Sequence, residues 1–405
     1  MMTGFMPDAG LRDRRAVGGR GSTRPIKVCF ISPLGYGLYR PESEQPFGGA
    51  EVQFFLLSQE LAADPAFQVS VLTTVREAPG AEQHAGVTLI KRVGRGRLAA
   101  AANRGLRGYA EAFAEMHRTL QAIDADVYLH AGAGVEVGAY ALICRLLRRR
   151  FVFVVASSAD LAKERGLVQG PLRWLYPLGL RLAHALVCRT DEQLTALRDQ
   201  YARQGMVIRT GHALPTQDAA MLVAKSTILW VGRMHPLKQP ELFLDLAERL
   251  PKERFVMVVS RDETHTKLLQ GIRNRAGRLP NLSLLEDVPW NQIARFFEEA
   301  KLFVNTSTYE GFPNTFVQAA LHGVPILSWT VGPDKVLTQR RIGLCAGGSF
   351  ERLAAALESL CADGPWRVEL GRQAIAYARE HHDLRRAADE FKSLCRSMMR
   401  GDYRR

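Results

Sequence analysis

Apolar runs and amphipathic stretches alternate along this chain, and they do so twice. Residues 26–32 (IKVCFIS) form a short apolar run of the kind a buried strand requires. A Gly- and Pro-rich loop follows over 33–49. Residues 50–63 (AEVQFFLLSQELAA) then carry apolar positions at helical spacing, and 68–74 is strand-like again. Strand, glycine-rich loop, helix, strand is the opening of a doubly wound sheet. The pattern predicts further strands at 87–93, 126–130, 151–156, 185–188 and 207–209, with helices over 109–123, 137–147 and 172–184. Periodicity lapses over 211–225, which contains Pro215, and then the alternation restarts. Strands are predicted at 227–231, 255–260, 282–285 and 302–304, separated by helices over 240–250, 264–276 and 290–300. A strand at 324–327, helices at 333–339 and 350–362, and a helical tract over 366–400 broken near His381 and His382 complete the series.

Two such arrays predict an α/β protein of two doubly wound, Rossmann-like domains whose strand ends face a common cleft. The expected division is a basic arm over 1–24, a first domain over 25–210, a linker over 211–225 and a second domain over 226–378. A C-terminal helical segment over 379–405 is expected to pack back on the first domain.

Within that frame one stretch is dense in candidate chemistry, 307–328 (STYEGFPNTFVQAALHGVPILS). Asn314 is the predicted N-cap of a short helix over 315–321 that Gly323 ends. Glu310 and the first helical turn then sit at the carboxyl edge of the sheet, where free N–H groups suit a phosphate. Gln318 lies one turn after Asn314 on the same side, so a carboxylate and an amide flank one anionic, hydroxyl-rich ligand. Gly48 and Gly49, just before the first helix, permit close approach of a ligand phosphate or sugar, although paired glycines there also serve plain tight turns.

The 405 residues carry a net charge of +13, which suits nucleic acid, an anionic membrane or anionic small substrates. Aromatic residues do not interleave with the basic runs, so a nucleic-acid platform is not expected. Arg148, Arg149 and Arg150, with Arg173, Trp174 and Arg181, suit docking on anionic lipid headgroups, and a plain charged helix face fits them equally. The six cysteines have no CxxC or finger spacing, which fits a reducing, cytoplasmic setting. No apolar run approaches the ~18 residues a membrane span needs. The first residues lack the apolar core of a secretion signal. No metal-ligand cluster is visible, and neither a metal nor a cofactor is expected.

Three motifs, FGGAE at 47–51, VGRMHPLK at 231–238 and YEGFPNTFVQAALHGVPIL at 309–327, together span nearly the whole chain. By them the chain resembles the retaining, nucleotide-sugar-dependent glycosyltransferases of the GT-B fold, specifically the GT4 (group 1) family. The resemblance implies that Arg233 and Lys238 grip the donor diphosphate and that Glu310 faces the donor sugar hydroxyls. It places Gly311, Phe312, Asn314 and Thr315 beside the phosphates, Pro313 having no N–H to give. Gly48 and Gly49 match the loop that approaches the donor phosphate and the acceptor. Gln318 stands where the family usually has a second Glu on the nucleotide ribose; an amide still hydrogen-bonds a diol, without charge. Many relatives place a His after the strand at 151–156, where this chain has Ser157, Ser158 and Asp160. Asp160 is accordingly the candidate for contact with the donor sugar or acceptor, and its bland reading is a helix cap; His130 is a weaker one. The resemblance implies front-face attack, with the departing phosphate accepting the acceptor's proton and the protein supplying positioning and electrostatics.

The implied activity is sugar transfer from a nucleoside-diphosphate sugar to a glycan or lipid-linked acceptor, with surface polysaccharide assembly as the setting. The implied location is the cytoplasm, peripheral on the inner face of the membrane. A nucleotide-sugar epimerase or hydrolase, and a non-catalytic glycan-binding subunit, are the alternatives. Base contacts are expected near 286–289 and acceptor contacts in the loops at 34–47 and 94–107.

Overall fold

A computed structural model describes residues 24–76, 78–93, 105–162, 168–215 and 225–402. The expected basic arm, most of the 94–107 loop and the middle of the linker lie outside the described residues.

The first domain is built on eight strands: β1 (Ile26–Ile31), β2 (Phe67–Val75), β3 (Gly80–His84), β4 (Val87–Val93), β5 (Val127–Ala131), β6 (Arg150–Val154), β7 (Ala185–Cys188) and β8 (Met206–Val207). Their order is β3-β4-β2-β1-β5-β6-β7-β8, parallel except for β3. β3 (GAEQH) pairs antiparallel at the edge and is largely exposed, so it carries no apolar pattern and escapes a reading by periodicity. The second domain has β9 (Thr227–Arg233), β10 (Arg254–Ser260), β11 (Leu282–Glu286), β12 (Ala300–Asn305), β13 (Ile326–Ser328) and β14 (Gly343–Cys345). These form an all-parallel sheet in the order β11-β10-β9-β12-β13-β14. Strands buried on both faces need continuous apolar runs, and TILWV of β9 and LFV of β12 supply them.

Strand order reverses once in each sheet, between β1 and β5 and between β9 and β12. The loops leaving a pair of strands at such a point diverge to opposite faces and open a crevice at the carboxyl edge. The two cavities described below open at these two places.

The chain crosses back at its end. Helix α1 (Gly49–Ala62) packs against helix α2 (Leu384–Arg400), although the two stand at opposite ends of the sequence. Leu384, Ala387, Ala388, Phe391, Leu394, Cys395 and Met398 follow the i, i+3, i+4, i+7 spacing and are all buried with the first domain's core. Burying the four large side chains among them contributes roughly 6–12 kcal/mol gross. The helical tract over 366–400 is two helices, broken at His382 and Asp383, and Asp383 caps the second by accepting from Arg385 N–H at 2.9 Å.

Next to that break the linker's His212 donates its N–H to His382 C=O at 2.9 Å and accepts from Leu384 N–H at 3.0 Å. A second junction lies at Asp334, from the loop after β13. Its carboxylate accepts from Asp191 N–H (3.1 Å) and Glu192 N–H (2.9 Å), which open a helix of the first domain, and from Arg209 (3.2 Å). A negative group at a helix N-terminus is favourable there.

Candidate active site

A cleft of about 440 Å³ lies between the two domains and is lined from both. From the second domain come the end of β9, the loop after it and the loop and helix after β12; from the first come Phe47 to Gln53 and the end of β6. Gly48, Gly49, Arg233, Lys238, Glu310, Gly311, Phe312, Asn314, Thr315 and Gln318, widely separated in sequence, all line it.

Arg233 ends β9 and is held by Asp262, whose Oδ2 accepts from Nε at 2.9 Å and from Nη2 at 2.6 Å. Lys238 closes a single 3₁₀ turn and forms an ion pair with Glu310. Glu310 Oε1 also accepts from Ser307 Oγ at 2.9 Å. The Lys238 loop is tied down from beneath: its carbonyl accepts from Thr306 Oγ1 (2.5 Å), which accepts from the buried Trp230 Nε1 (2.8 Å). Each candidate cation thus faces the cleft already oriented by a carboxylate. A diphosphate entering between them meets fixed charges and has little to reorganise.

Helix α3 (Asn314–Leu321) begins one residue earlier than expected, with Pro313 at the cap and Asn314 as the first helical residue. Asn314 does not cap its own helix. Its Nδ2 donates to Gly49 C=O at 2.7 Å across the cleft, and its Oδ1 accepts from Gln53 Nε2 at 2.7 Å. Gln53, buried in α1, also exchanges two 3.0 Å bonds with the backbone of Gly211 in the linker. One amide pair therefore joins the Gly48–Gly49 loop, the linker and α3. Phe312 packs its ring on His382, 4.4 Å between centroids. At Gly311 the domains touch: a Cβ there would stand 2.4 Å from Ala156 O. Gln318 is buried with its side chain at the cleft wall.

Asp160 is not brought to the cleft. Its Oδ2 accepts from Ala156 N–H (2.8 Å) and Ser157 N–H (3.0 Å), closing a capping box on the turn after β6. Burial pushes its carboxyl up to about 6 against those backbone bonds. The role expected for it at the sugar is replaced by a structural one, because a carboxylate three residues into a turn finds the turn's own N–H groups first. His130 lines a second cavity of about 270 Å³ at the β1/β5 reversal, with Thr73, Arg92, Gly132 and Tyr140. Burial lowers its pKa to about 4. Glu51, in the first turn of α1, lines both cavities and accepts from Gly48 N–H at 3.1 Å. It sat inside the FGGAE motif without an assigned role. Asp262, Gln53 and Trp290, which also border this region, gave no sequence signal, since their partners lie 29 or more residues away.

Two Rossmann-like domains meeting at a cleft lined by both carboxyl edges define the GT-B class. Residues 225–363, which make up most of the second domain, match the family described as "Glycosyl transferases group 1". The chain is 28% identical over 160 residues to a D-inositol 3-phosphate glycosyltransferase of Mycolicibacterium paratuberculosis, covering 38% of this chain and 36% of that one. It is 28% identical over 174 residues to the Paenarthrobacter aurescens protein of the same name, covering 41% and 43%. The chain thus matches less than half the length of these curated relatives. Among solved structures, sucrose-phosphate synthase from Thermosynechococcus elongatus superposes with a TM-score of 0.73 at 17% identity, over 93% of this chain and 100% of that one. Anabaena HepE in complex with UDP and glucose gives 0.67 at 16%, over 92% and 100%. These likenesses establish the fold.

Proposed function

We propose that the protein transfers a sugar, with retention, from a nucleoside-diphosphate sugar to a glycan or lipid-linked acceptor. One observation carries the reading: Arg233 and Lys238, each oriented by a carboxylate, share a single cleft with the opposing Gly48–Gly49 loop and the first turn of α3. As the glycosidic bond breaks, the leaving diphosphate gains charge, and fixed cations stabilise that state more than the ground state. Those groups carry the leaving charge in this reading, with no metal assigned. Glu310, between Lys238 and Ser307, receives the sugar hydroxyls, and Gln318 the ribose. The second cavity, which shares Glu51 with the cleft, receives the acceptor. Front-face attack, with the acceptor proton passing to the departing phosphate, needs no protein nucleophile. HepE forms a complex with UDP and glucose and the relatives are named glycosyltransferases, which supports the donor class.

We place the protein on the cytoplasmic face of the membrane, in surface polysaccharide assembly. The setting follows from the family resemblance. The location is supported by the basic residues Arg148, Arg149, Arg150, Arg173 and Arg181, none of them buried. Trp174 is 55% and Leu146 61% exposed in this region. No helix among the described residues is long and apolar enough to cross a membrane.

The test is product analysis. Each of several nucleoside-diphosphate sugars is incubated with and without candidate acceptors. Acceptor-dependent release of nucleoside diphosphate with an α-linked product from an α-donor is expected. Free sugar or an epimer from donor alone would replace this reading with a hydrolase or epimerase.

A further inference from the structure

In the second sheet Arg233 of β9 lies beside Ser260 of β10, and the chain turns back two residues later at Asp262. The Asp262 side chain is buried and fully used. Oδ1 accepts from Thr264 N–H at 3.0 Å and Thr264 Oγ1 at 2.6 Å, while Oδ2 accepts both bonds from Arg233. Burial pushes its pKa up, but the bonds from Thr264 and Arg233 outweigh this and hold it at about 2, so it is ionised at any working pH. A guanidinium has three nitrogens, and here Nε and Nη2 are both occupied. Nη1 is directed across the cleft: a Cβ built on Gly48 would stand 4.0 Å from it.

We propose that Asp262 is a positioning residue for the donor, fixing the Arg233 fork so that Nη1 meets the diphosphate opposite Gly48. This rests on the donor reading of the cleft. Two consequences of the pair oppose each other. The carboxylate removes part of the cation's pull on a phosphate, and it also removes the rotamer freedom that a flexible Arg would lose on binding. With Asp262 anchored on its far side by Thr264, and the Arg–carboxylate contact two-pronged, orientation is the larger effect. Loss of Asp262 therefore weakens diphosphate binding and slows transfer, although it leaves Arg233 with its full charge.

The test is a double-mutant cycle on the full chain, read by calorimetry with UDP, GDP and ADP and by steady-state kinetics. Asp262→Ala is expected to weaken nucleoside-diphosphate binding about tenfold and to lower kcat/KM by up to about 100-fold, the scale of a 1 Å misplacement. Arg233→Ala is expected to do at least as much, and the double variant no more than Arg233→Ala alone. Arg233→Lys, which cannot take the two-pronged contact, is expected to be insensitive to Asp262→Ala. Thr264→Val, which removes one of the two bonds that anchor Asp262 and leaves the Arg233 pair, is expected to weaken binding by less than Asp262→Ala does. Additive losses in the double variant, or unchanged or tighter binding by Asp262→Ala, would overturn the positioning role alone. Failure of the unaltered protein to bind any of the three nucleotides would overturn the donor reading together with it.

Discussion

Replacing Gly311 with alanine drives a methyl group into the contact between the domains. The added Cβ would lie 2.4 Å from Ala156 O, 3.2 Å from its carbonyl carbon and 3.1 Å from Gln193 Nε2. The first two are backbone atoms two residues beyond β6 and cannot swing aside as a flexible side chain would. Gly311 is not in the left-handed region, so alanine brings no backbone strain and the perturbation is purely one of space. On either side the backbones are tied together, by Ser158 N–H to Glu310 O at 3.1 Å and Thr210 Oγ1 to Phe312 O at 3.3 Å. Relief requires the domains to part by about 1 Å, or these bonds to stretch. Overpacking of this kind costs about 1–3 kcal/mol, which shifts the population of the closed cleft by roughly 5- to 150-fold. The expected result is a fall in kcat/KM within that range, with each domain still folded because each has its own core. Small-angle scattering in the presence of nucleoside diphosphate should show a larger radius of gyration than the unaltered protein. Unchanged turnover and unchanged scattering would refute the idea that this contact closes the site.

Other outcomes follow from the same geometry. Lys238→Met and Glu310→Gln should each lower kcat by about 100-fold or more without changing the melting temperature, since both groups sit at the cleft and not in a core; kinetics with thermal unfolding checks this. His130 and His212, both lowered to about 4, and His382, lowered to about 3, are held neutral by burial. An unfolded His takes its proton near 6.5, so the unfolded state binds more protons below that pH and stability falls as pH drops from about 6.5 to 4. Asp160, raised to about 6, acts in the opposite sense over about 4 to 6, and three histidines outweigh one carboxyl. Urea unfolding should show a net loss of a few kcal/mol between pH 7.5 and 5, reduced in His212→Asn. Flotation with vesicles containing about 30% anionic lipid should carry the protein upward, and Trp174→Ala with Arg173→Glu should abolish this.

The fold was legible because parallel strands buried on both faces need unbroken apolar runs, and β1, β6, β9 and β12 have them. The edge strand β3 was not, since GAEQH has nothing to bury. Both halves of the cleft were legible through the three motifs that carry the family resemblance, and Gly48, Gly49, Arg233, Lys238 and Glu310 meet there because they stand in loops at strand ends or helix starts. Asp160 misled, because a turn's need for acceptors and a ligand's need for a carboxylate leave the same residue in the same place. Asp262, Gln53 and Asn314's role as a bridge depend on pairings across 29 to 265 residues, which no local pattern encodes.

The central claim is that the cleft clamps a sugar-bearing diphosphate between the second domain's cations and the first domain's glycine loop. Calorimetric titration of the full chain with UDP, GDP and ADP tests it most directly. Saturable one-to-one binding of at least one of them is expected, lost in the folded Arg233→Ala, Lys238→Ala double variant. No binding of any nucleotide, or equal binding by that variant, would contradict it.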